Sequence, residues 1–180
     1  MSRFVDILAR AAALAGGVVL IALVAMTCIS VLGRAGLTMS GMFDLPEFFS
    51  RLRPVRGDYE MIELGSAVAI FAFLPWCQLA GAHARVDLLE GRLPRWLDRG
   101  LVAFWDWVML GVVMIIAWRH WVGLQGKIAS NETTFLLQVP VWWAYAAAMV
   151  FAVIGVIVAS WVAISHPRAW INPRVEGSAE

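Results

Sequence analysis

"AAALAGGVVLIALVAMTCISVLG", residues 11–33, runs for 23 residues without a charge. A helix of that length rises about 34 Å at 1.5 Å per residue, enough to cross a hydrocarbon layer of about 30 Å. The stretch exceeds the roughly 7–15-residue core of a secretory signal. Arg34, rather than a small-residue cleavage site, follows it, so we expect it to be kept as an anchor. The chain as a whole agrees: 61% of its 180 residues are hydrophobic and 15% charged, with a mean hydropathy of +0.76. Those values lie outside the soluble range.

Working outward, Leu64 to Ala82 is again free of charge and holds Pro75 late in its course. Lipid-embedded helices accept such a proline when neighbours satisfy the freed carbonyl. Leu101 to Trp118 is interrupted only by Asp106. The uncharged run from Thr133 to Ser165 is too long for one crossing and is divided by Pro140, whose ring suits a helix start. The expected fold is an all-α integral membrane domain over residues 1–180. It has four transmembrane helices, near 11–33, 61–82, 101–119 and 141–164, plus short amphipathic interfacial helices and a polar tail over 166–180.

Four spans put both termini on one side. Eight Lys and Arg residues fall on that side (Arg3, Arg10, Arg85, Arg92, Arg95, Arg99, Arg168, Arg174). The remaining six of the 14 fall on the other (Arg34, Arg51, Arg53, Arg56, Arg119, Lys127). The bias favours cytoplasmic termini. Trp96, Trp105, Trp107, Trp118, Trp121, Trp142, Trp143 and Trp161 fall near expected span ends, where an indole keeps its ring in the apolar boundary and its N–H in water. Ala9, Ala13 and Gly17, and again Ala144, Ala148 and Ala152, recur every four positions, a spacing that lets helix backbones approach closely.

The residues give no positive sign of catalysis or of a cofactor. His83, His120 and His166 stand at or outside span ends, Cys28 and Cys77 are single residues in different spans, and there is no phosphate loop or H-E-x-x-H. We therefore expect no catalytic residues, no metal site, no cofactor and no nucleic-acid partner. Asp106, one turn into the third span, reads as a structural polar contact rather than an ion site. In "GDYEMIEL", residues 57–64, Glu60 and Glu63 share a helical face, with Arg51, Arg53 and Arg56 just upstream. An interfacial salt-bridge cluster or a contact with another subunit fits them better than a cation site.

"GAHARVDLLEGRLP", residues 81–94, lies between the second and third spans. Val86, Leu89 and Leu93 form one apolar line against Arg85, Asp87, Glu90 and Arg92, so a helix within about 84–99 would lie in the membrane interface. Phe4, Ile7 and Leu8 opposite Arg3, Asp6 and Arg10 suggest the same for the N-terminus.

Taken in order with "GKIASNETTFLLQVPVWWAY", residues 126–145, these stretches resemble the small permease subunit of tripartite ATP-independent periplasmic (TRAP) transporters, the DctQ-like family. The most specific part is His83, Arg85, Val86, Asp87, Leu88 and Leu89 followed by Leu93 and Pro94. Gly126, Glu132, Thr133 and Pro140 fit the region before the last span. The connector from Arg34 to Asp58 is longer than the family pattern, and "MSGMFDLPEFFSRLRP", residues 39–54, has no counterpart in it.

The resemblance implies a role as well as a fold. A periplasmic substrate-binding protein captures an organic acid, a large permease subunit moves it with a sodium gradient, and the small subunit scaffolds the large one in the bacterial inner membrane. Glu60, Glu63, His83, Arg85, Val86, Asp87, Leu93, Pro94, Gly126, Glu132, Thr133 and Pro140 are then candidates for the subunit interface, with membrane lipid around them. A stand-alone four-helix transporter or channel, and a haem-binding redox anchor, are the alternatives.

Overall fold

A computed structural model describes residues 2–42, 55–81 and 95–171. Four helices make up almost all of them: α1 Ser2–Met42, α2 Asp58–Leu79, α3 Arg95–Ser130 and α4 Trp142–Ile171. Each contains a segment long and apolar enough to cross a membrane: Arg3–Thr38, Asp58–Leu79, Ala103–Ser130 and Trp142–Ser165. The chain is all-helical and multi-pass in form. Of the amphipathic segment expected over about 84–99, residues 84–94 lie outside the described residues, while 95–99 form the start of α3.

Two helices are far longer than their uncharged stretches. α1 continues past Arg34 to Met42, and α3 continues past Arg119 to Ser130. A charge marks where a helix meets polar surroundings, but it does not break the backbone ladder, so hydropathy alone underestimates such helices.

α2 and α4 occupy the middle of the arrangement. α1 packs along α2 and, near its N-terminus, touches α4; α3 packs on α4. Burial follows this order: 39% of the most apolar window of α4 is buried, against 11% in α1. The core has two centres. Val5 and Ala9 of α1 meet Val158 and Val162 of α4, with Trp76 and Leu79 of α2 beside them. Leu110 and Val113 of α3 meet Ala159 and Ala163 of α4, with Leu74 beside them.

Small residues set the helix spacing. Gly16 lies so close to α2 that a Cβ there would be 2.9 Å from Ala72 Cβ and 3.3 Å from the Ala69 carbonyl oxygen. Gly65 of α2 takes Leu23 of α1 in the same way, at 2.9 Å. Close approach of this kind replaces the hydrophobic drive that lipid removes. The alanine series of α4 works likewise, with Ala148 and Ala152 both buried. Pro75 is fully buried within α2, and its ring stands against Gly155 of α4.

Candidate functional site

Two polar clusters join at one end of the molecule. In the first, Ser30 and Arg34 of α1 face Asp58 at the start of α2. The Ser30 hydroxyl donates to Asp58 Oδ2 at 2.6 Å, and the Arg34 guanidinium pairs with the same oxygen. Asp58 Oδ1 accepts the backbone N–H of Tyr59 at 3.0 Å. Arg34 also donates to the Tyr59 hydroxyl at 3.2 Å and lies over its ring, 5.2 Å from the centroid. Asp58 and Ser30 are buried. A buried carboxylate needs both charge compensation and hydrogen bonds, and the positive end of the α2 dipole adds to them.

The second cluster forms where the α3–α4 loop folds back on α2. Thr133 and Pro140 make an antiparallel bridge, with Thr134 N–H donating to the Val139 carbonyl at 2.9 Å and Val141 N–H to the Glu132 carbonyl at 3.0 Å. The tip of this loop turns its amides toward α2. Leu136 N–H donates to Glu60 Oε1 at 2.6 Å and Leu137 N–H to Glu60 Oε2 at 3.0 Å. One carboxylate thus satisfies two loop amides that no helix or strand would pair. Gly57, in the left-handed region with φ 74°, lets the chain enter α2 beneath the Leu137 side chain. Lys127 at the end of α3 pairs with Glu132, closing the loop from the other side.

Glu60 therefore acts as a clip between two distant parts of the chain. In Glu60→Ala we expect amide hydrogen exchange at Leu136 and Leu137 to accelerate at least about tenfold while the centre of α4 keeps its protection. Unchanged exchange at both amides would rule the clip out.

A third contact sits deeper. His120 Nε2–H donates to the Tyr145 carbonyl at 3.0 Å; its ring stacks on Tyr145 at 5.0 Å and meets Phe71 at 4.6 Å. This imidazole ties α3 to both central helices. Asp106 is buried on the side of α3 turned toward α4. Among the described residues no three His, Cys, Asp or Glu side chains gather as metal ligands.

The residues named from sequence separate into three groups. Glu60, Glu132, Thr133 and Pro140 come together in and around the loop clip. Glu63 and Gly126 are exposed, and nothing lies within 4 Å of where a Gly126 side chain would begin. His83, Arg85, Val86, Asp87, Leu93 and Pro94 fall outside the described residues. Arg51 and Arg53, which stand just upstream of these acids in sequence, lie outside the described residues; among the described residues Asp58 pairs with Arg34 and Ser30 of α1, and Glu60 with loop amides. The sequence held one signal for the first pairing: Arg34 and Asp58 bound the same connector.

With this geometry in hand, the comparison with protein families is decisive. The model of the tripartite ATP-independent periplasmic transporters, DctQ component, matches residues 23–166. The chain belongs to the DctQ family. Neither a curated protein nor a solved structure matches it. The matched region of this DctQ chain begins midway through α1 and ends near the close of the apolar part of α4, so it includes all three polar contacts just described. A DctQ chain is the small membrane subunit of a TRAP transporter, a transport component that crosses the membrane several times.

Proposed function

We propose that this chain is the fixed scaffold subunit of a TRAP transporter in the bacterial inner membrane, with both termini cytoplasmic. A periplasmic binding protein delivers an organic acid, and the large permease subunit carries it inward with sodium. The small subunit binds the large one, broadens its stationary frame and catalyses no reaction of its own.

The observation that carries this reading is the tying together of the polar end. Asp58 holds α2 to α1, and Glu60 holds α2 to the α3–α4 loop. The carboxylates there are engaged by donors of the chain itself, as a frame requires, while the apolar sides of α1 and α3 are left facing outward. A moving transport element needs a neighbour that does not deform. Interfacial tryptophans and arginines add resistance to tilting and sinking in the bilayer.

The test is recovery of partners with a tagged chain from native membranes in mild detergent. We expect a stoichiometric, highly hydrophobic membrane protein to accompany it, and we expect Arg85→Ala combined with Asp87→Ala to reduce that recovery. Recovery of the chain alone, under conditions that keep other membrane complexes intact, would overturn the scaffold reading. Solute flux through vesicles containing only this chain would support the stand-alone transporter instead.

A further inference from the structure

The α3–α4 loop, residues 131–141, joins the ends of two spans, so it stands at one surface of the membrane whichever way the chain is inserted. A connection in that position is ordinarily polar and wet. This one is built differently. From Thr133 onward it carries no charge, and the uncharged run continues without a break into α4. Its charged residues stand at the base, where Lys127 pairs with Glu132; its tip is Phe135, Leu136 and Leu137. A hairpin that projects into water has the reverse order, with Gly, Asn, Asp or Ser at the turn.

The apolar tip is not turned into the protein. Leu137 is half-buried over Gly57, but Phe135 is 88% exposed and Leu136 63%. Both are fixed outward. The Leu136 and Leu137 amides are held by Glu60, and the Gln138 side-chain amide donates to the Phe135 carbonyl at 2.9 Å. Gln138 itself takes a left-handed backbone, φ 55°, which a residue with a side chain adopts only when its surroundings impose it.

The backbone of the loop is supplied from within. Between Thr134 and Val141 seven residues carry an N–H, Pro140 having none, and five of these groups are bonded inside the chain. Thr134 donates to the Val139 carbonyl, Leu136 and Leu137 to Glu60, Val139 to the Thr134 hydroxyl at 3.1 Å, and Val141 to the Glu132 carbonyl. In water these amides could be left to solvent. Where water is scarce, irregular backbone persists only if protein groups take its place, and here a carboxylate is committed to two of them.

The flanking residues name the medium. The tip lies against the first turn of α2, whose Tyr59 and Met61 are exposed, and the loop runs directly into Trp142 and the exposed Trp143 at the start of α4. Tyr and Trp at the ends of spans mark the boundary between headgroups and acyl chains. The tip offers a soluble protein no charge to pair with and no polar rim around its apolar centre.

We propose that the α3–α4 loop is seated in lipid, with Phe135 and Leu136 inserted at the headgroup–acyl boundary and Glu60 standing in for the water that its amides forgo. The tip then fixes the height of the α2, α3 and α4 ends in the bilayer, as an interfacial anchor does. This inference does not depend on the scaffold reading.

The test uses the full chain in unsealed native membranes, where reagents reach both faces. With Cys28→Ala and Cys77→Ala in place, the thiol of Phe135→Cys should react with a water-soluble maleimide at least about tenfold more slowly than that of Ser130→Cys, because a thiol ionises poorly in apolar surroundings. Ser130 is exposed at the end of α3, at the polar base of the loop. With a benzophenone side chain in place of Phe135, irradiation should give phospholipid adducts as the main product by mass spectrometry. Both substitutions should keep the helix content of the parent, since the Phe135 side chain is exposed. Equal labelling of the two thiols would put the tip in water and overturn the proposal. A protein as the main crosslinked product would overturn it as well and make the tip a docking surface. Neither result alters the scaffold reading, which partner recovery tests separately.

Discussion

Gly57→Val is expected to destabilise the isolated chain by about 3 kcal/mol, combining the cost of a left-handed backbone with that of overpacking. A drop of roughly 10 °C in Tm for a chain of this size would match it. Two independent effects coincide at this residue. Its φ of 74° belongs to the region that side chains avoid, and a Cβ placed on it would be 2.5 Å from Leu137 Cγ. Leu137 is poorly placed to yield, because its amide is held by Glu60. The two effects separate in a double variant. Gly57→Ala with Leu137→Ala relieves the contact and keeps the backbone strain, so it should be destabilised less than Gly57→Ala alone once the cost of Leu137→Ala itself is subtracted. Thermal unfolding in detergent of the four chains measures this; strict additivity would mean that Leu137 is not what Gly57 accommodates.

The second large effect is expected at Gly16. An isoleucine there meets Ala72 Cβ and the Ala69 carbonyl, and backbone cannot rotate out of the way as a side chain can. α1 is held mainly by α2, so forcing this contact apart should cost about 2–3 kcal/mol and free much of α1 from the rest. The neighbouring residue is the control. Nothing lies within 4 Å of a Cβ on Gly17, so Gly17→Ile should change the stability of the isolated chain by less than about 0.5 kcal/mol. Equal losses at the two glycines would refute the packing of α1 on α2 described above. Equal tolerance would do so too.

The fold was legible because lipid imposes a simple demand: a spanning segment must satisfy its own backbone and avoid charge. Residues 11–33 and the apolar stretches after them meet that demand, and the four helices follow. Their lengths were less legible. Arg34 and Arg119 read as endpoints, yet α1 and α3 pass straight through both.

The polar contacts were harder still. Glu60 was visible as a candidate, but its partners are the amides of Leu136 and Leu137, 76 and 77 residues away, and every residue carries an amide. No side-chain pattern could have marked those two. Arg34 and Asp58 are opposite charges at the ends of adjacent spans, a pairing that charge alone suggests, whereas Ser30, whose hydroxyl completes it, reads as one more small residue in an apolar helix. His120 stood near an expected span end, a placement that argues against a haem ligand and names no other role. Only the arrangement in space shows its ring between Phe71 and Tyr145.

The helices do not lie in the order in which they are made. α4, synthesised last, stands between α2 and α3, and α3 packs along α4, reaching α2 through the ring of His120 against Phe71. During biogenesis α1 and α2 can associate as soon as both have left the translocon, while α3 must wait in the bilayer for the final segment to slot in beside it. A ribosome that stalls before Trp142 would therefore release a chain whose first half is already assembled and whose third helix is an orphan, the kind of half-finished product on which membrane quality control acts.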